Sequence, residues 1–233
     1  MSSVPYFQSK QILISDDTGK LNPHTWTSDG VWSGNVVQLF NEKISTKPTA
    51  TILDIGAQSG AFSLLAKYHP NSKWFCFECD PTNYRLLTEN IKLNNIDNCS
   101  THQIAVSNKS GKAILRRSSH FGLHTLGQTP QRFQEDQSLN IEVDTISIDE
   151  FVETNNLSSV DFIKIDTEGC ELNILKGAVK TIAKFKPEIL FEAHGENLAQ
   201  FNLTEKDLLS FVVNELSYVI KYWMGEDIYA VPK

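Results

Sequence analysis

The sequence has few basic residues and no long apolar run. Its 233 residues include 21 lysine and arginine residues against 28 aspartate and glutamate residues, which gives a net charge of -7. This balance argues against a protein that grips the nucleic acid backbone, which requires a basic face. No apolar run approaches the ~20 residues needed to cross a bilayer, and the first residues lack the basic segment and apolar core of a secretory signal. We therefore expect a cytoplasmic protein that binds neither nucleic acid nor membrane.

Cysteine is also scarce. Of the four cysteines, Cys76, Cys79 and Cys170 lie in apolar segments, as reduced packing cysteines do. Cys76 and Cys79 have the spacing of half a zinc site, but the chain has no second such pair, and a strand directs residues three apart to opposite faces. The cysteines therefore predict neither a disulfide framework nor a zinc site.

Strand and helix patterns alternate from Thr51 onward. Strands are predicted at TILDIG, KWFCFEC, STHQIAV, KAILRR, IEVDTIS, DFIKID and EILFEAH, and helices at AFSLLAKYH, DPTNYRLLTENIKLN, IDEFVETN, 170–185 and TEKDLLSFVVNEL. The last segments, YVIKYW and IYAV, predict an antiparallel hairpin. This alternation predicts an α/β fold with a mostly parallel, doubly wound sheet and a C-terminal hairpin.

The chain is expected to have two parts. Residues 51–233 are predicted to form the α/β domain, and residues 1–50 an N-terminal cap or lid. Trp26 and Trp32 are predicted to anchor this cap in the core, with an aromatic wall over a substrate as the alternative.

Two acids and two glycines predict an adenosine-containing cofactor. In open parallel sheets, ligands bind beyond the carboxyl ends of the strands, where strand order reverses. In ILDIGAQSG, Asp54 ends a strand, and Gly56 and Gly60 let the backbone turn tightly and approach a ligand. Glu78 ends the next strand, where a carboxylate can accept hydrogen bonds from two ribose hydroxyls. Both nicotinamide dinucleotides and S-adenosylmethionine suit this arrangement.

Three features together favour S-adenosylmethionine. The dinucleotide pattern G-x-G-x-x-G has Gln58 in place of its middle glycine, and Ala61 follows Gly60. The hairpin beside parallel strands is associated with the methyltransferase version of this fold, and acids at the strand ends suit the ammonium of the ligand. The alternatives are a nicotinamide-dependent oxidoreductase and a catalytically inactive binding module on the same fold.

The stretch VDFIKIDTEGCELNILKGA, residues 160–178, resembles the signature of the FkbM family of S-adenosylmethionine-dependent methyltransferases. The stretches ILDIGAQSGAFSLLAK, FECDPTNYRLLTENIKLNN, TISIDEF and KPEILFEAHG resemble its other blocks in the same order. The sequence departs from the family pattern at Gln58, where asparagine is common, and at Cys79, where proline is common. The resemblance implies a Rossmann-like class I fold and O-methylation of a small hydroxylated molecule such as a sugar or polyketide-like metabolite. It does not identify the acceptor, and transfer to nitrogen is a further alternative.

The predicted cofactor site lies at the strand ends. Glu78 is expected to bind the ribose and Asp54 to support the amino-acid tail, while apolar side chains near Cys79 and Val106 contact the adenine. The residues predicted to bind the cofactor are Asp54, Gly56, Ala57, Gly60, Glu78, Cys79, Ala105 and Asp166.

The predicted catalytic residues are Asp166, Glu192 and His194, which end two adjacent strands. Methyl transfer requires alignment of donor and acceptor and removal of one proton from the hydroxyl. A histidine with a pKa near neutrality is the most economical base, which favours His194. His120 and His124 are the other candidates, provided that the polar stretch between the two accessory strands folds over the site.

Structural roles are the alternatives for these residues. Lys164 and Asp166 share one strand face and could form an ion pair, and His194 could cap a helix. For Glu171, a structural role at a helix N-terminus is the favoured interpretation. A divalent metal held by the acids and His194 is another alternative, but no metal-ligand spacing matches, so no metal ligand is assigned. The sequence does not predict the oligomeric state.

Overall fold

The computed structural model describes residues 34–118, 124–127 and 139–233. Its α-helices are α1 (Gly34–Ser45), α2 (Pro81–Leu93), α3 (Ile148–Thr154), α4 (Glu171–Lys176), α5 (Val179–Phe185), α6 (Gly195–Ala199) and α7 (Glu205–Ser210). A 3-10 helix covers Ser63–Tyr68, and a π-helix at Phe211–Glu215 continues α7. The strands are β1 (Thr51–Ile55), β2 (Lys73–Phe77), β3 (Cys99–His102), β4 (Ala105–Val106), β5 (Gly111–Leu115), β6 (Ile141–Ile146), β7 (Phe162–Ile165), β8 (Glu188–Glu192), β9 (Tyr218–Met224) and β10 (Asp227–Pro232).

Seven of the described strands form one sheet in the order β3-β2-β1-β7-β8-β10-β9. The first five run parallel to one another, and β10 runs antiparallel to both β8 and β9. The predicted fold class is therefore confirmed, including the C-terminal hairpin. Strand order reverses at β1, which has β2 on one side and β7 on the other. The ends of β1 and β7 form the crevice in which such folds bind ligands.

Apolar clusters cover both faces of this sheet. On one face, Phe40 and Ile44 of α1 pack with Trp74 and Phe162 of the sheet. On the other face, α3, α4 and α5 cover the strands. Residues 1–33, with Trp26 and Trp32, lie outside the described residues, so the cap over residues 1–50 stays a prediction. Among the described helices, none is both long enough and apolar enough to cross a membrane.

The predicted strand STHQIAV is in fact two strands in different sheets. β3 pairs with β2 in the large sheet, whereas β4 pairs with β6 in a three-stranded sheet of order β4-β6-β5. The ladder with β2 ends where the Glu78 N–H donates to the His102 carbonyl oxygen. The chain then leaves the large sheet and carries Ala105 toward the crevice.

The helix predicted over residues 170–185 is interrupted at Gly177. This glycine ends α4 and lies against the backbone of the loop after β4, where an added Cβ would come within 2.4 Å of the Ser107 carbonyl oxygen. Side chains cap two of the predicted helices: Asp80 accepts hydrogen bonds from the backbone N–H groups that begin α2, and Thr204 and Asp207 form a capping box at α7.

Candidate active site

A cavity of about 320 Å³ opens at the carboxyl ends of β1, β2, β7 and β8. Apolar side chains form part of its wall, among them Cys79, Ala105, Val106, Leu115 and Leu126. Carboxylates form another part: Glu78, Asp166, Glu168, Glu192 and Glu226. This mixed lining suits a ligand that has both an apolar part and polar groups.

The loop after β1 packs tightly against the end of β7. Gly56 has a φ of +74°, and a Cβ there would lie 1.8 Å from the Asp166 carbonyl oxygen. The N–H groups of Gly56 and Ala57 both donate to the Phe77 carbonyl oxygen, at 3.1 and 2.9 Å. Only glycine fits at this position, because a side chain would meet backbone atoms that cannot move aside.

Glu78 joins that loop to the tip of β2. Its Oε2 accepts a hydrogen bond from the Gln58 N–H at 2.9 Å, and its Oε1 accepts one from the Asp80 N–H at 2.8 Å. Burial raises the pKa of Glu78 to about 7, although the two backbone hydrogen bonds oppose that rise. Glu78 lines the cavity with both oxygens oriented.

Lys164 is a buried cation on β7 beneath the loop. Its Nζ donates to the Gly56 carbonyl oxygen at 2.9 Å and lies 3.5 Å from both Asp54 Oδ1 and Asp166 Oδ2. Burial by itself lowers the pKa of this ammonium, but the carboxylates of Asp166 and Asp54 outweigh it and raise the pKa. The ion pair between Lys164 and Asp166 is therefore present, with Asp54 as a third member.

Three carboxylates on the cavity wall lie close together. Asp166, Glu168 and Glu192 each place an oxygen within 4.8 Å of the others. Asn197 Nδ2 donates to Glu168 Oε2 at 2.7 Å and to Glu192 Oε2 at 3.4 Å, so one amide bridges two acids. Burial, followed by the charges of Asp166, Glu168 and Glu171, raises the pKa of Glu192 to about 9. Glu192 therefore holds a proton more tightly than an exposed carboxylate does.

Glu171 shapes the loop that carries Glu168. It is 1% exposed, and its Oε1 accepts hydrogen bonds from the N–H and the hydroxyl of Thr167 and from the Gly169 N–H. Glu168 has a left-handed φ of +56° within this turn. Glu171 thus has the structural role at the helix start that the sequence favoured.

His194 caps α6 and lies on the cavity wall. Its Nδ1 accepts the Asn197 N–H at 3.4 Å, and its Nε2 lies 3.1 Å from Glu226 Oε1. These contacts assign the neutral ring a proton on Nε2, donated to Glu226. Both ring nitrogens therefore have hydrogen-bond partners, and the role of His194 as the base stays a prediction.

The short segment 124–127 lies at the cavity. His124 lines the wall, and its Nδ1 accepts the Ser118 N–H at 3.1 Å. The Thr125 hydroxyl donates to the Glu168 carbonyl oxygen at 3.0 Å, and Arg116 donates to the Gly127 carbonyl oxygen at 2.8 Å. This part of the polar stretch therefore contributes to the cavity wall, whereas His120 lies outside the described residues.

Most predicted site residues lie on the cavity wall, namely Gly56, Ala57, Glu78, Cys79, Ala105, Asp166, Glu192 and His194. Asp54 and Gly60 lie behind it. Asp54 is fully buried and accepts a hydrogen bond from Ser63 Oγ at 2.6 Å, and Gly60 faces Leu87 of α2. The sequence assigned no site role to Asn197, and it considered Lys164 only as an ion-pair partner. The spacing of Lys164 and Asp166 along one strand was a signal in the sequence for the role of Lys164. No pattern in the sequence pointed to Asn197.

The profile of the FkbM methyltransferase domain matches residues 54–220. This chain belongs to the FkbM methyltransferase family. The resemblance seen in the sequence is thereby confirmed, and the oxidoreductase alternative is not favoured.

Two curated relatives are methyltransferases. The chain is 27% identical over 150 residues to the 2-O-methyltransferase NoeI of Sinorhizobium fredii, a match that covers 59% of this chain and 61% of the relative. It is 26% identical over 142 residues to Methyltransferase 1 of Beauveria bassiana, covering 54% and 57%. This FkbM family chain thus spans about three-fifths of the length of the curated relatives it matches.

Solved structures share the fold. A crystal structure of an FkbM methyltransferase from Methylobacillus flagellatus superposes with a TM-score of 0.54 at 18% identity, covering 79% of this chain and 44% of that one. A precorrin-6y C5,15-methyltransferase from Geobacter metallireducens superposes with a TM-score of 0.50 at 14% identity, covering 86% and 89%. These likenesses show the Rossmann-like architecture.

Proposed function

We propose that this protein transfers a methyl group from S-adenosylmethionine to a hydroxyl oxygen of a small molecule such as a sugar or polyketide-like metabolite. The observation that carries the proposal is the position of Glu78, whose oriented carboxylate lines the cavity beside the Gly56 loop. Membership of the FkbM family supports the chemistry, and the 2-O-methyltransferase among the relatives supports oxygen as the acceptor atom.

The cavity residues fit the cofactor. Each Glu78 oxygen accepts one backbone N–H and keeps a lone pair for a ribose hydroxyl. Cys79, Ala105 and Val106 offer the adenine an apolar surface. The amino-acid tail would contact the Gly56 loop and the Asp166 side chain on the cavity wall, and Asp54 would act on it indirectly, through Lys164. When bound, S-adenosylmethionine supplies a methyl group already activated on a sulfonium.

The chain must then align the acceptor and remove its proton. Glu192 is the candidate base, since a carboxylate with a raised pKa accepts a proton more readily once it is ionised. Asp166 and Glu168 each place a carboxylate oxygen within 4.8 Å of a Glu192 oxygen, so an acceptor bound there would meet all three side chains. Asn197 would orient Glu168 and Glu192, because its side-chain amide donates to both, and His194 would support Asn197 by accepting its backbone N–H.

A divalent cation is an alternative way to activate the acceptor. Asp166, Glu168 and Glu192 present carboxylate oxygens of the kind that hard cations prefer. A cation held there would acidify the hydroxyl. Loss of methyl transfer in EDTA, restored by Mg²⁺ or Mn²⁺, would favour the cation over a carboxylate base.

Isothermal titration with S-adenosylhomocysteine and with NAD tests the cofactor assignment. We expect micromolar binding of the thioether and none of NAD, and binding in the Glu78→Ala variant should be lost. Binding of NAD without binding of the thioether would favour the oxidoreductase alternative. Failure of both ligands to bind a folded protein would favour an inactive binding module.

A further inference from the structure

Lys164 contacts two of the loops that form the site. Its side chain is 4% exposed, and its ammonium lies within 3.5 Å of the Gly56 carbonyl oxygen, the Asp54 carboxylate and the Asp166 carboxylate. The same ammonium lies over the Phe62 ring, 5.0 Å from its centroid. Lys164 is therefore confined on all sides by groups that belong to the cofactor loop or support it.

The hydrogen bond from Lys164 acts on one particular peptide group. The Gly56 carbonyl and the Ala57 N–H belong to the same planar unit and point in opposite directions. The carbonyl accepts from Lys164 at 2.9 Å, and the N–H donates to the Phe77 carbonyl oxygen at 2.9 Å. The peptide plane is thus held at both ends, and its orientation determines the direction in which the chain continues.

The next peptide group reaches Glu78. The Gln58 N–H donates to Glu78 Oε2 at 2.9 Å, and Gln58 itself has a left-handed φ of +50°. A residue with a side chain, such as glutamine, rarely adopts this backbone conformation unless its neighbours impose it. Lys164 and Glu78 therefore hold the same three-residue turn from opposite sides, although they are 86 positions apart in the sequence.

We propose that Lys164 is a positioning residue: it orients the Gly56–Ala57 peptide group, so that the Gln58 N–H meets Glu78 and the Glu78 carboxylate faces the cavity. The same ammonium holds the Asp166 carboxylate at the other side of the loop. The inference rests on the proposed function only for the identity of the ligand, S-adenosylmethionine. The geometry of the turn does not depend on it.

Amide hydrogen exchange of the unliganded protein, followed by NMR, tests this role without any ligand. In Lys164→Met we expect the protection of the Gln58 amide to fall by about tenfold, because the carbonyl of Gly56 loses its buried donor. The amide of Phe191, in the core strand β8, reports global opening and is used to correct for lost stability. Lys176→Met is the matched control, since Lys176 is an exposed lysine at the end of α4.

Titration with S-adenosylhomocysteine is the second measurement, and we expect Lys164→Met to bind it about tenfold more weakly than wild type. If Lys164→Met does not fold, Asp54→Asn combined with Lys164→Met is measured in the same way, because that pair removes the cation together with its fully buried carboxylate. Unchanged protection of Gln58 relative to Phe191 in a folded variant would overturn the proposal.

The two proposals fail in distinguishable ways. If wild type does not bind the thioether but Gln58 loses protection in Lys164→Met, the cofactor assignment is wrong and the positioning role stands. If wild type binds the thioether and Lys164→Met binds it equally well with Gln58 still protected, the cofactor assignment stands and the positioning role is wrong.

Discussion

The backbone N–H of Gln58 donates a hydrogen bond of 2.9 Å to the carboxylate of Glu78, and this bond closes the loop after β1 onto the tip of β2. The acceptor is a group whose charge changes near neutrality, because burial raises the pKa of Glu78 to about 7. Cofactor binding at this point should therefore be linked to proton release.

Binding of S-adenosylhomocysteine should depend on pH through Glu78. The ionised carboxylate accepts hydrogen bonds from the ribose hydroxyls. The affinity for S-adenosylhomocysteine should therefore be full above pH 7 and fall by up to about tenfold per pH unit below it. Glu78→Gln should bind more weakly and lose that slope between about pH 6 and 8. Calorimetry in buffers of different ionisation enthalpy measures the protons released. An unchanged slope in Glu78→Gln would assign the linkage to another group.

Gly56→Ala should abolish cofactor binding and destabilise the fold by several kcal/mol, because its Cβ would lie 1.8 Å from the Asp166 carbonyl oxygen. Gly225→Ala is the matched control. Gly225 has a similar φ of +71°, but an added Cβ there meets nothing within 4 Å. It should cost only about 1 kcal/mol of backbone strain. Equal losses of melting temperature in the two variants would mean that backbone strain, and not the clash with the Asp166 carbonyl oxygen, explains why glycine is required at position 56.

Glu192→Gln should slow methyl transfer by about 10²- to 10⁴-fold while stabilising the protein at neutral pH. The pKa of Glu192 is raised to about 9, so the native state keeps a proton that the unfolded state releases above about pH 4.5. The contribution of Glu192 to the free energy of unfolding of the wild type is fully present at low pH and falls as pH rises toward 9. The melting temperature of Glu192→Gln relative to wild type should therefore increase from about pH 5 to 8, by roughly 10 °C. A difference that stays constant with pH would contradict the raised pKa.

Asn197→Ala should destabilise the protein by about 1 to 3 kcal/mol, because Glu168 and Glu192 lose the amide that bridges them. Since the Asn197 hydrogen bond lowers the pKa of Glu192, its removal should also move the pH–rate limb of methyl transfer to higher pH. Asn214→Ala, at an exposed position, is the control for the substitution itself. If the variant loses stability but the pH–rate limb of methyl transfer does not move, Asn197 contributes to packing alone.

Much of the fold was predictable from local pattern. Apolar runs of strand length, separated by helical periodicity, predicted the parallel sheet, and the last two strands predicted the hairpin. Local pattern failed where long-range contacts interrupted an element. The strand from Cys99 to Val106 divides between two sheets, and Gly177 breaks a helix because the loop at Ser107 packs against it. Neither contact changes the spacing of apolar residues in the segment concerned, so the sequence does not reveal it.

For the site, the sequence by itself determined which residue types stand at the strand ends, since parallel strands bring their carboxyl ends to one edge of a sheet. That rule placed Glu78, Asp166 and Glu192 correctly on a common wall. Only the tertiary structure decided how these groups are paired. Asp54 turns inward to Lys164, and Asn197 joins two acids from separate loops. The reason is physical: charge and hydrogen-bond partners depend on distances of a few ångströms between segments that lie far apart along the chain, and no spacing within one segment encodes them.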